Sequence, residues 1–90
     1  MFYFYILRCA DNSLYCGMTT DLVRRLKEHN STGAKGAKYT RAKKPVVLVH
    51  SEKFPDIKTA LQRESEGKKW TKSRKEQLVK RIYIDRLELL

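Results

Sequence analysis

One helix-length stretch carries residues that a folding core would not ask for. In Asp21-Leu22-Val23-Arg24-Arg25-Leu26-Lys27-Glu28-His29, the residues Leu22, Arg25, Leu26 and His29 fall at i, i+3, i+4 and i+7, so a helix puts them on one face. Thr20 or Asp21 can cap that helix by accepting a bond from a free amide of its first turn. The face must pack on the rest of a small protein, yet half of it is a guanidinium and an imidazole, groups that bind anions and exchange protons. The same conflict recurs further on, where Ile57, Ala60 and Leu61 lead at i+7 to Glu64. An exposed i,i+4 pair with Lys68 gives Glu64 a partner but does not explain its face.

A third signal is Gly33 to Lys44, which holds five cations, no acid, two glycines and one aromatic. It reads as a loop, and a loop this long in a compact domain is more often functional or disordered than structural. Lys35, Lys38, Arg41, Lys43 and Lys44 with Tyr39 suit phosphate contact and one stacking platform; a solvated loop is the competing reading. Lys68, Lys69, Lys72, Arg74 and Lys75 form a second basic cluster. The whole chain has 90 residues with 20 Lys and Arg against 10 Asp and Glu, a net charge of +10 and pI near 9.9. Such a surplus on a small body attracts polyanions, whose counterions are released on contact.

The elements that must position these groups follow from periodicity. Ninety residues allow one domain with a modest core. Phe2 to Cys9 is a strand, apolar on both faces and so covered on both sides. Phe2, Phe4 and Ile6 point one way and Tyr3, Tyr5, Leu7 and Cys9 the other. Asp11-Asn12-Ser13 is a turn, and Leu14 to Gly17 returns antiparallel. A three-residue loop brings Cys9 opposite Tyr15 and sets Tyr5 and Tyr15 on one face; a two-residue loop separates them. The helix from Asp21 ends near Asn30, before Ser31, Thr32 and Gly33. Val46 to Val49 marks a third strand, Pro55 starts a helix that runs to about Trp70, and Ser73-Arg74-Lys75-Glu76 reads as a capping box for a last helix from Arg74. Residues 83–90 fit either more helix or a packed C-terminal extension. Cys9 and Cys16 read as buried thiols in a reducing, cytoplasmic setting, and no apolar run is long enough for a membrane.

Tyr3-Phe4-Tyr5, then Tyr15-Cys16-Gly17, then Asp21-Leu22 with Arg25 and His29, then Glu64 resemble the GIY-YIG nuclease module. The likeness spans Tyr3 to about Trp70. It is strongest to small stand-alone bacterial members with a segment like Gly36-Ala37-Lys38-Tyr39-Thr40-Arg41. Tyr3 and Phe4 stand where Gly and Ile are usual, and Cys16 replaces an Ile; these are packing positions.

The resemblance implies an α+β fold, a three-stranded antiparallel sheet flanked by helices in the order β-β-α-β-α-α, which is also the order read above. It implies phosphodiester hydrolysis with one divalent metal, Mg²⁺ or Mn²⁺. Glu64 would hold the metal and Arg25 would clamp the scissile phosphate. Tyr5 would activate or position the water, with Tyr15 and His29 completing the network. Whether Tyr5 or His29 takes the water's proton stays open, since a free Tyr has a pKa of about 10. Nucleic acid is the expected partner, DNA ahead of RNA, in repair or recombination, with specificity from a protein partner or a structured substrate. Taken singly, each of the five polar residues is more often structural than catalytic. Their convergence favours an enzyme over a non-catalytic binding protein, which would need only the cations.

Overall fold

A computed structural model describes residues 1–31 and 42–88, with side chains for 1–31 and 42–80. The order is β1 (Phe2–Arg8), β2 (Leu14–Thr19), α1 (Leu22–Asn30), β3 (Val47–Phe54), α2 (Ile57–Lys69) and α3 (Lys72–Glu88). The three strands form one antiparallel sheet in the order β2-β1-β3. This is the expected architecture. The central β1 is apolar on both faces because both are covered. Phe4, Ile6, Leu14 and Cys16 pack with Val49, Phe54, Trp70 and Leu78 on the α2–α3 side. Tyr5, Leu7, Cys9 and Val46 pack with Tyr15, Leu22 and Leu26 on the α1 side. Cys9 and Cys16 are buried free thiols.

The β1–β2 turn sets which tyrosines share a face. Asn12 donates its N–H to the Cys9 carbonyl and Cys9 donates to the Ser13 carbonyl, both at 2.9 Å. Asn12 takes φ 70°, a left-handed conformation that Asn tolerates. The Asp11 carboxylate accepts from the Ser13 amide and hydroxyl, which stiffens the turn. The resulting register pairs Leu7 with Tyr15 and Tyr5 with Gly17. Neither loop alternative gives this pairing, and it differs by two residues from the one that set Cys9 opposite Tyr15. A shift of two leaves every side chain on its own face, so Tyr5 and Tyr15 still share one.

Other boundaries move for identifiable reasons. β3 extends to Phe54, and between Ile6 and Leu7 its register slips, so that Ile6 faces His50 while Leu7 faces Leu48. The extra residue, Val49, makes a bulge that puts Val49 and His50 on the Phe4 side and leaves Leu48 beside Leu7. α2 begins at Ile57 instead of Pro55, because the Asp56 side chain caps it by accepting from the Thr59 amide at 2.8 Å. Its buried stripe is Ala60 and Gly67, while Ile57 and Leu61 are exposed. α3 begins at Lys72, two residues earlier than the capping box implied. Thr71 Oγ1 accepts from the Arg74 amide at 3.2 Å, and Glu76 reaches away to Arg8 at 2.9 and 2.5 Å. α3 continues as helix to Glu88, across most of the segment that could have been an extension.

Gly67 shows how closely α2 lies on the sheet. A Cβ there would stand 2.8 Å from the Phe4 ring and 3.4 Å from Cys16 Sγ. Gly67→Ala is expected to lower stability by about 1–2 kcal/mol, because overpacking outweighs a gain of about 1 kcal/mol in helix propensity. Urea unfolding should show a lower midpoint with an unchanged slope.

Candidate active site

The β2–α1 junction aims the site. Thr19 Oγ1 accepts from the Asp21 amide at 3.1 Å, and the Asp21 carboxylate accepts from the Arg24 amide at 3.1 Å, so the strand passes into a capped helix without slack. The α1 face then follows the sequence pattern. Leu22, Arg25 and Leu26 are half-buried and His29, only 1% exposed, is the deepest.

His29 is buried because Tyr5 meets it. The Tyr5 hydroxyl and His29 Nε2 lie 2.9 Å apart, and Tyr5 is itself 2% exposed. Arg25 donates a hydrogen bond to the same phenol oxygen. A guanidinium can only donate, so the phenol oxygen accepts from Arg25 and keeps both its own proton and a further lone pair with which to meet His29 Nε2. The Tyr15 ring lies edge-on to His29 with centroids 5.4 Å apart. Across the strand pair from Tyr5 stands Gly17, where a Cβ would come 2.4 Å from the Tyr5 hydroxyl. Only a residue without a side chain lets the phenol lie there.

Burial sets the protonation of the pair. It pushes the Tyr5 phenol up to about 12, against the opposing pull of its hydrogen bond from Arg25; the charge of Glu64 pushes in the same direction as burial. Burial likewise pushes His29 down to about 4, helped by the Arg25 charge and opposed by Glu28. At neutral pH the pair is uncharged and joined through one proton.

Glu64 sits at the rim. Its side chain is 24% exposed, its carboxylate lies 3.9 Å from Lys68 Nζ, and its charge is felt at Tyr5. Lys68 in turn stands 6.0 Å over the Tyr15 ring. The α2 position that looked core-facing is thus where the helix passes the β2 side of the sheet. Among the described residues no three His, Cys, Asp or Glu side chains group as a metal cage. A lone, partly exposed carboxylate fits a hard cation such as Mg²⁺, which keeps several waters and takes further oxygens from substrate phosphate.

Four of the six residues expected to hold nucleic acid, Lys35, Lys38, Tyr39 and Arg41, lie outside the described residues. Lys43 and Lys44 are half-buried and anchor the chain where it re-enters. Lys43 pairs with Asp11 at 3.3 Å and Lys44 donates to the Ser31 carbonyl. The Asn30 side chain adds two hydrogen bonds to Val46, donating to its carbonyl at 3.0 Å and accepting from its amide at 2.7 Å. These contacts join the end of α1 to the start of β3. Sequence reasoning missed Glu28, which pairs with Arg25 at 3.1 Å; its i,i+3 spacing was the available signal. It also missed Lys68 over Tyr15, a contact between distant segments that no local pattern encodes.

Comparison with known proteins gives the family. Residues 1–77 match the model of the GIY-YIG catalytic domain, so the chain belongs to the GIY-YIG family, a family of nucleases. Within it, the chain is 48% identical to a UPF0213 protein of Bacillus pumilus, over 93% of this chain and 84% of that one. It is 53% identical to a UPF0213 protein of Haloquadratum walsbyi, over 84% and 83%. The solution structure of a UPF0213 protein from Bacillus halodurans is 48% identical, covering 89% of this chain and 84% of that one with a TM-score of 0.56. That of a protein from E. faecalis is also 48% identical, covering 91% and 85% with a TM-score of 0.59.

Two measurements check the buried pair. Gly17→Ala must displace the Tyr5 ring, and is expected to cost about 1–3 kcal/mol while the fold survives. The His29 imidazole resonances should shift as the hydrogen bond is lost. The second is a pH series. Folded His29 binds its proton more weakly than unfolded His, so its contribution is present above pH 6.5 and lost as pH falls through about 4. Wild-type stability should therefore decline across that window in urea titrations. His29→Gln, less stable at pH 7, should decline less.

Proposed function

We propose that the protein is an endonuclease that hydrolyses phosphodiester bonds of DNA with one divalent metal, Mg²⁺ or Mn²⁺. The observation that carries this reading is the Tyr5 hydroxyl held between Arg25 and a neutral His29. Binding to nucleic acid needs only surface cations. A dry phenol–imidazole pair beneath a guanidinium is suited to moving a proton beside an anion.

In the proposed step a water oxygen bonds to phosphorus and its proton passes to the Tyr5 oxygen. The phenol proton moves at the same time to His29 Nε2, the P–O ester bond breaks, and the leaving oxygen takes a proton from solvent. The raised Tyr5 pKa is no obstacle on this route, because Tyr5 gives up one proton as it takes another and never stands as a free phenolate. Arg25, beside Tyr5 and Glu28, would offset the charge that builds on the phosphate. Tyr15 would hold the imidazole edge-on. Glu64 would hold the metal, which when bound supplies positive charge to the phosphate oxygens. Lys35, Lys38, Tyr39 and Arg41, with Lys43 and Lys44 beside them in the sequence, would hold the polynucleotide. DNA over RNA, a cytoplasmic role in repair or recombination, and specificity supplied by a partner protein or by substrate structure rest on the family resemblance.

The test is cleavage of a panel of single-stranded, duplex and branched nucleic acids. Cleavage should require Mg²⁺ or Mn²⁺ and stop on chelation. Glu64→Gln should bind but not cut, and Tyr5→Phe should cut about 10²- to 10⁴-fold more slowly. Binding by the wild type without cleavage of any substrate would replace the enzyme by a binding module.

A further inference from the structure

The second cationic cluster of the sequence takes no part in the chemistry above, and the fold gathers it at the corner between α2 and α3. Lys68 and Lys69 close α2, Trp70 caps it, and Lys72, Arg74 and Lys75 fall in the opening turn of α3. The first pair complements the negative end of its helix. The other three do the opposite, standing at the positive end of α3 in a turn that contains no acid. Neighbouring acids do not neutralise them. Glu76 is held by Arg8 through two short bonds, with Lys72 left at 3.9 Å. Among the described residues Lys69 and Lys75 make no ion pair.

The corner is firmly built. Arg63 lies 4.7 Å over the Trp70 ring and bonds Glu52 of β3 at 2.8 and 3.0 Å, while Arg74 lies 5.8 Å over the same ring. It is also continuous with the active site. Lys68 stands over Tyr15 beside Glu64, and both Lys68 and Lys75 act electrostatically on the Cys16 thiol under β2. Trp70 and Leu78 pack on the sheet face opposite α1, so the α2–α3 corner lies on the side of the sheet away from that helix.

We propose that this corner is a flanking-phosphate subsite. Lys68, Lys69, Lys72 and Lys75 hold the sugar–phosphate backbone of the polynucleotide beyond the scissile bond, on the side away from α1. This deepens the nuclease reading and rests on it. Lysine ammoniums are point charges, and Arg74 is engaged on Trp70, so the subsite adds affinity and orientation without reading bases.

The test is the salt dependence of equilibrium binding of the full chain to a duplex of several helical turns, without added metal. A variant carrying Lys69→Ala, Lys72→Ala and Lys75→Ala is compared with one carrying Lys27→Ala, Lys53→Ala and Lys58→Ala, which removes equal charge from exposed positions elsewhere. Thermal unfolding confirms that both fold. Each lost phosphate contact should lower the slope of log K against log salt by about 0.9, so the corner variant should fall by about 2.7 and the control by much less. Equal falls in the two variants would overturn the subsite and leave the nuclease reading standing if the wild type still cuts. A wild type that neither binds nor cuts any nucleic acid would overturn both.

Discussion

The hydrogen bond between the Tyr5 hydroxyl and His29 Nε2 joins β1 to α1 where water has almost no access, and most of the surrounding structure is arranged so that it can exist. A buried phenol and a buried imidazole each need a partner, since an unpaired polar group there costs about 1–3 kcal/mol. Each supplies the other's, and Arg25 supplies the phenol's remaining bond. The pair stays uncharged because burial opposes ionisation of both members in opposite directions, the phenol upward and the imidazole downward. The condition that lets the helix pack on the sheet is thus the condition that keeps the proton shared.

That bond constrains the backbone around it. Tyr5 must face α1, which requires the parity that the Asn12 turn imposes on the hairpin. The strand opposite must pass close to the phenol, which requires Gly17. β3 must keep Leu48 on the α1 face beside Leu7 while turning His50 toward Phe4, and the bulge at Val49 lets one short strand do both.

Sequence pattern revealed what depends on parity and period. The face of α1, the two-sided burial of β1 and the shared face of Tyr5 and Tyr15 all follow from spacings of 3.6 and 2, and such spacings survive errors of two residues in register. What stayed hidden depends on contacts between distant segments. α2 starts after the Asp56 cap and not at Pro55, and Thr71 caps α3 in place of Ser73, because more than one neighbouring residue could begin each helix and only packing could choose. Ile57 and Leu61 looked like the buried face of α2, but a helix that seats glycine against Phe4 lies too close to the sheet for its apolar stripe to be chosen by hydrophobicity alone. Glu64 was legible as an anomaly. Its place at the rim, felt by Tyr5 and loosely paired with Lys68, needed the fold.

The distribution of charge separates fold from function. Arginines take the structural pairs Arg8 with Glu76 and Arg63 with Glu52. Asp21 and Asp56 are spent on helix caps, and Asp11 on its turn and Lys43. Guanidinium suits these roles because its fixed fork forms two bonds at once and is weakly hydrated. With the acids so committed, the surplus positive charge falls largely to lysines, which the fold does not need to pair. Among the described residues Glu64 is the half-buried acid whose ion pair is loosest, 3.9 Å from a lysine that is itself more than half exposed. An acid that the fold does not hold tightly can take a cation, and lysines that the fold does not neutralise can take phosphates. Both stand along the same rim of the sheet.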